Sequence, residues 1–239
     1  MLITTNAIIL SKLKYKDNDL IVKCYTQQVG LVSVLLRGVL KSRRGHSKSA
    51  YYQPLSQLQL VLDYKNNRSL QSVKEAKLNY LYSSLHTNVL KGSIVMFLTE
   101  VLSNALKEEE QNDILFSYIE TTLQWLDVHS EYSNFHLLFL LNLTKYLGFY
   151  PDLKNKEFNY FNLTDGKFEK QEQSKYSITG ENLTLLKQLL GTTFDALSLV
   201  KVNGKQRQSF LNMILLYFEL HLGSFRTPKS LQVFNQVFS

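Results

Sequence analysis

Apolar and polar residues alternate in short runs over the first third of the chain, at residues 7–15, 20–26, 31–37, 55–62 and 69–73. Alternation with period two puts every second side chain on one face, so each run predicts a half-buried strand. The clearest is Gln57-Leu58-Gln59-Leu60-Val61-Leu62, where Leu58, Leu60 and Leu62 share a face. Asp17-Asn18-Asp19, Gly30 and Lys65-Asn66-Asn67-Arg68 supply turn-forming residues between the runs. Five short strands so close together predict a small closed barrel, and the five-stranded barrel that commonly binds nucleic acid is the OB-fold.

After residue 78 the period becomes helical. Ile94, Phe97, Leu98, Val101, Leu102 and Ala105 follow one amphipathic spacing, and Leu115, Tyr118, Ile119, Thr122, Leu123 and Leu126 follow another. Residues 135–147 and 210–222 are apolar nearly all round and read as central helices of a bundle, with Gly148 and Gly223 where C-terminal caps are expected. Pro228 suits the opening turn of a last helix over residues 229–238. Residues 149–178 break the regularity and predict a small hairpin-like insert around Thr164-Asp165-Gly166. The fold class is therefore α+β with two domains: an OB-fold barrel over residues 1–78 and an α-helical domain over residues 79–239.

Charge sharpens this division. Residues 1–80 hold 13 Lys and Arg against 4 Asp and Glu, a balance of +9, whereas residues 81–239 hold 14 against 16, a balance of −2. All 14 Phe and the single Trp lie beyond residue 80, so the two cores are built from different side chains. Positive charge confined to one module is the footprint of polyanion binding, and its bland alternative is a solvated basic face. Cys24 is the one cysteine, which excludes an intramolecular disulfide and a multi-cysteine zinc cluster. The start lacks a basic segment before Ala7-Ile8-Ile9-Leu10, and residues 135–150 are too short and interrupted to span a bilayer. A cytoplasmic protein with no membrane partner is expected.

Lys12, Lys14 and Lys16 alternate with Leu13 and Tyr15, so in a strand their ammonium groups point to one side. Arg37, Lys41, Arg43, Arg44 and Lys48 belong to a Gly- and Ser-containing stretch free of acidic residues. Together these eight cations are candidate phosphate contacts, and Tyr51 is a candidate for stacking on unpaired bases, with a core or rim tyrosine as its plainer reading. Asp63 with Glu75-Ala76-Lys77 superficially matches a Mg²⁺-dependent nuclease arrangement, but two carboxylates hold a metal poorly and Glu-x-Lys is common by chance. No Gly-rich nucleotide-binding motif occurs, the five histidines are scattered, and Cys24 reads as a small hydrophobe. No catalytic residue, cofactor or metal is assigned. The competing non-enzyme reading is a scaffold whose barrel binds RNA or an acidic protein.

Asp19 before a strand, Gly30-Leu31, Arg37-Gly38 running into Lys41-Ser42-Arg43, and Pro54 opening the next strand resemble the N-terminal OB domain of the RecO family. Residues 147–153, Leu-Gly-Phe-Tyr-Pro-Asp-Leu, are similar to that family's helix-ending segment, and His221-Leu222-Gly223 followed by Pro228-Lys229-Ser230-Leu231 to its final helices. The resemblance spans the chain. It implies a recombination mediator that binds single- and double-stranded DNA, anneals complementary strands, binds the C-terminal tail of single-stranded DNA-binding protein, and works with RecR to load RecA. Many family members carry a four-cysteine zinc site after this helix-ending segment. No cysteine stands there in this chain, so apolar packing by Phe158, Tyr160, Phe161, Leu163 and Phe168 is expected instead. Lys201, Lys205, Arg207 and Arg226 read as solvated surface.

Overall fold

The computed structural model describes residues 1–41, 49–106 and 111–238. Its first compact unit, Met1–Val128, contains a closed barrel of β1 (Leu2–Tyr15), β2 (Asp19–Thr26), β3 (Gly30–Leu36), β4 (Gln57–Asp63) and β5 (Leu70–Tyr80). The strand order is β1-β2-β3-β5-β4, with only the β3–β5 pair parallel, in keeping with an OB-fold. Ala7, Ile9, Val22, Cys24, Val34, Leu58, Leu60 and Leu62 fill the interior, drawn from alternate positions of four strands. β5 runs beyond the expected 69–73. Lys74 sits at a register shift between the Leu62–Val73 and Val61–Glu75 pairs, which breaks the alternation and hides the strand's second half from pattern reading.

A second shift sets the geometry of β1. Ile9 pairs with Cys24 but Ser11 pairs with Lys23, so Leu10 is an extra residue. Before the bulge Ala7 and Ile9 point inward. After it Lys12 and Lys14 stand opposite Val22 and Leu20, whose side chains are buried, while Leu13 turns outward opposite Ile21. A one-residue insertion exchanges the faces of everything that follows it.

Two helices complete this unit: α1 (Val89–Ala105) and α2 (Asp113–Val128). Asn88 caps α1 by accepting from the amides of Leu90 and Lys91. α1 lies against β1, and Ile8 and Leu10, which the barrel interior leaves out, are buried. Polar bonds tie α2 to the barrel: Gln57 Nε2 donates to the Glu120 carbonyl at 2.8 Å, and Gln124 Nε2 donates to Gln57 Oε1 at 2.8 Å. The boundary expected near residue 78 thus falls within β5, and packing carries the first unit to Val128 because these helices cover the barrel wall.

The second unit, His129–Ser239, is built around α3 (Phe135–Tyr146) and α5 (Gly204–His221), which pack on each other. Gly148, at φ 86°, ends α3 as expected. Gly223 does not take that conformation; α5 closes through a turn in which Phe225 donates to the Leu222 carbonyl. The insert is a three-stranded sheet of β6 (Tyr160–Asn162), β7 (Lys167–Glu169) and β8 (Ser177–Ile178), with Phe161, Leu163 and Phe168 buried. α4 (Gly180–Leu189) follows; its apolar positions Leu183, Leu186 and Leu189 occupy too short a window to stand out. A last helix, α6, spans Leu231–Val237. Arg207, expected at the surface, instead donates to Asn134 Oδ1 and to the Val202 and Phe238 carbonyls.

Gly166 is confined from two sides. Its φ of 66° disfavours a side chain, and an added Cβ would lie 2.7 Å from the Tyr217 hydroxyl, which donates to the Phe149 carbonyl. Gly166→Ala is expected to lower stability by about 1–3 kcal/mol, read as a shift of the thermal midpoint.

Candidate nucleic-acid interface

From Ser11 onward β1 pairs with β2 alone, because β4 ends its pairing at Ile8. The result is an arm of β1 held on one edge only, by β2 residues that pair in turn with β3, and its residues 11–17 are all exposed. Lys12 and Lys14 share its inner face, just past the mouth of the barrel. Lys16 does not continue the alternation: it has left the strand at φ 53°, and its ammonium lies 5.4 Å from the centre of the Tyr15 ring.

The turn after β3 is fastened to this arm. The Asp19 carboxylate accepts from the Gly38 amide at 2.7 Å, and the Leu40 amide donates to the Asn18 carbonyl at 3.0 Å. Gly38 at φ 64° lets the turn approach, and the Lys41 amide closes it on the Gly38 carbonyl. Arg37 and Lys41, both exposed, are thereby brought to the same end of the barrel as Lys14 and Lys16. Asp19 is engaged with an amide, so among the described residues of this end only Asp17 offers an uncommitted carboxylate. Arg43, Arg44 and Lys48 lie outside the described residues. Tyr51 is half-buried and packs against the barrel core, and its neighbour Tyr52 is buried.

Two basic residues passed over in the pattern reading also lie on the barrel surface, Lys23 in β2 and Arg68 in the β4–β5 loop. The phase of β2 identifies the first, since Val22 and Cys24 are buried and Lys23 must point outward. The Cys24 thiol, pushed up to about 12 by burial, is no thiolate nucleophile at neutral pH. Both carboxylates of the nuclease pattern are paired with cations: Asp63 faces Arg68 at 3.7 Å and Glu75 faces Lys77 at 3.0 Å. No group of three or more His, Cys, Asp or Glu side chains placed to hold a metal ion occurs among the described residues. No helix among them is long and apolar enough to cross a membrane.

Two family models match the chain, and the boundary between them falls just after β5 rather than at Val128. The family described as Recombination protein O N terminal matches residues 1–82, and Recombination protein O C terminal matches residues 86–231. The DNA repair protein RecO of Christiangramia forsetii is 51% identical over 238 residues, and that of Flavobacterium psychrophilum is 40% identical over 239. The protein of the same name from Bacteroides fragilis is 36% identical over 243 residues; in all three cases the match covers 100% of both chains.

Proposed function

The chain belongs to the RecO family of DNA repair proteins, and from that premise we propose that it is a non-catalytic recombination mediator. It binds single- and double-stranded DNA through the cationic end of its barrel. It anneals complementary strands coated with single-stranded DNA-binding protein, whose C-terminal tail it recognises, and with RecR it helps load RecA. The observation that carries this reading is the arm itself, where exposed Lys12 and Lys14 extend past the barrel mouth and the Arg37–Lys41 turn is bonded to its tip.

Cations on a projecting ribbon neutralise phosphates and release their counterions, while the bases stay free to pair. Two phosphate backbones held on one cationic surface repel each other less, which is what annealing requires. Lys16, Arg37 and Lys41 extend the same surface, Arg43, Arg44 and Lys48 follow Lys41 in sequence, and Tyr51 adds an aromatic edge. A protein acting in this way works in the cytoplasm, at the nucleoid.

The test is annealing of protein-coated complementary oligonucleotides, run beside direct binding over a salt series. Lys12→Gln/Lys14→Gln is expected to reduce the slope of log affinity against log salt by about 1.4, roughly 25-fold in affinity at 0.1 M salt, with annealing falling in step. Both residues are exposed, so the melting temperature should stay within a degree or two of wild type. Wild-type protein that binds RNA in preference, or fails to anneal, would shift the reading to a scaffold.

A further inference from the structure

We infer that Asp19 is a positioning residue for strand binding: by holding the Gly38 amide, its carboxylate joins the Arg37–Lys41 turn to the tip of the arm, so that both meet a DNA strand as one surface. The inference rests on the DNA-binding reading above and deepens it, because it gives an acid a part in holding an anion.

Asp19 is one of four acidic residues among residues 1–80. Of these, Asp63 and Glu75 face Arg68 and Lys77. Asp19 stands at the cationic end of the barrel, half-buried at the start of β2 and cross-strand from Tyr15. A negative charge in that place weakens the attraction for a phosphate backbone. Its compensation is geometric. β3 makes its last pair with β2 between Leu36 and Leu20, and beyond that pair the chain leaves the sheet. Asp19 Oδ1 accepts from the Gly38 amide at 2.7 Å, and the Leu40 amide donates to the Asn18 carbonyl at 3.0 Å. These two bonds draw the turn back onto the tip of the arm. Val39 and Leu40 pack, half-buried, against the barrel core, while Arg37 and Lys41 on either side of them stay exposed. Where Gly38 is held therefore sets where the two cations lie.

Of the two bonds only the first is made by a side chain. The Asn18 carbonyl would be present whatever residue stood there, so the identity of residue 19 decides whether the turn is fastened twice. Gly38 serves this bond by its conformation and not by its size: its φ is 64°, and an added Cβ would meet no atom within 4 Å. A carboxylate accepting from an amide makes a shorter and stronger bond than a neutral oxygen does. A turn held in advance forfeits less freedom when a strand arrives. The charge of Asp19 thus opposes binding and its hydrogen bond favours it, and the opposite signs make the two effects separable.

The test is fluorescence anisotropy of a labelled oligothymidylate with full-length protein over a salt series. If Asp19 acted only as a charge, Asp19→Ala would bind more tightly than wild type. As a positioning residue, its loss is expected to remove the two turn contacts, about 1.4 from the slope of log affinity against log salt and roughly 25-fold in affinity at 0.1 M salt. Asp19→Asn, which keeps an acceptor oxygen and sheds the charge, should recover that loss in full. Adding Asp19→Ala to Arg37→Gln/Lys41→Gln should weaken binding no further, because the turn then has no cation left to place. Two changes at Gly38 reach the same bond without touching the acid and carry the test if Asp19→Ala does not fold. Gly38→Val, which disfavours φ 64°, should weaken binding, and Gly38→Asn, which tolerates it, should recover most of the loss. Asp19→Ala that binds as well as wild type or better, a further loss in the combined variant, or equal binding by Gly38→Val and Gly38→Asn would each overturn the positioning role and leave the arm's role intact. Wild type that binds no DNA would overturn the DNA-binding reading itself.

Discussion

Asp127→Ala is expected to lower the stability of the protein by about 3–5 kcal/mol, the largest effect of any single change described above. Asp127 is 2% exposed, and its carboxylate accepts from the amides of Ser83, Ser84 and Leu85 and from the Ser83 and Ser84 hydroxyls. Those residues connect β5 to α1, so one side chain near the end of α2 organises the whole connection. Lys91, 4% exposed, donates to the Asp127 carbonyl and to the Ser84 hydroxyl, each at 2.7 Å. Removing the carboxylate orphans three backbone amides, that of Leu85 buried, and strips a buried ammonium of its countercharge.

Burial alone would push the Asp127 carboxyl up, but the amide and hydroxyl donors outweigh it and hold it below the usual carboxylate range. A depressed carboxyl contributes stability above its unfolded pKa and loses it as pH falls through the folded one, so this contribution is intact at neutral pH. The measurement is denaturant unfolding of wild type and variant at pH 7. A loss under 1 kcal/mol would mean that the amides find other acceptors.

The second large effect is on the pH dependence of stability. His136 is fully buried on α3, its ring 4.8 Å from that of Phe234 and 5.7 Å from that of Phe238, and neither ring nitrogen has a hydrogen-bond partner among the described residues. Burial, with a smaller contribution from the Arg207 charge, pushes its pKa down to about 3. The unfolded chain takes up this proton near pH 6.5 and the folded chain does not. Stability is therefore full above about pH 6.5 and declines by up to 1.4 kcal/mol per pH unit, roughly, until the folded value is reached. Asp127 adds its own loss only below the ordinary carboxylate range, while Glu120, whose carboxyl burial pushes up, offsets part of the loss at the acid end, so His136 is read by difference against its variant. His136→Leu should flatten the profile from about pH 6.5 to about 4.5. Equal slopes in wild type and variant would show that the imidazole is charged, or reaches a partner, in the folded protein.

How much of this was legible in advance differs by element. Leu58, Leu60 and Leu62 alternate without interruption and are wholly buried, so β4 was read correctly from its pattern. The alternation of β5 stops short of the strand's end because the bulge at Lys74 and the charged Lys74-Glu75-Ala76-Lys77 interrupt its period. Gly148 and Gly223 look alike in sequence as residues after an apolar helix. Only tertiary packing decides that the first adopts a left-handed conformation and the second does not. The cationic stretch was plain from composition. That Lys12 and Lys14 lie on the inner face, and that Lys16 departs from it, depends on one extra residue at Leu10 and on a turn at Lys16, neither of which alters the apparent alternation.

The order of pairing in the barrel bears on how it forms. β1 meets β2 across a three-residue turn, but its other partner is β4, where Leu2 pairs with Asp63, and β3 finds β5 only in a parallel pairing that starts at Ser33 and Leu70. A nascent chain can therefore fold β1, β2 and β3 into a meander well before either closing strand has been made. Until then the sheet stands with an open apolar face and two unpaired edges, the stage at which contacts of high sequence separation make folding slow and association between chains easy. Lys12 and Lys14 stand on that sheet, and charges so placed oppose the stacking of one chain on another. The residues proposed to hold DNA in the finished barrel would thus also keep its unfinished form apart from its copies.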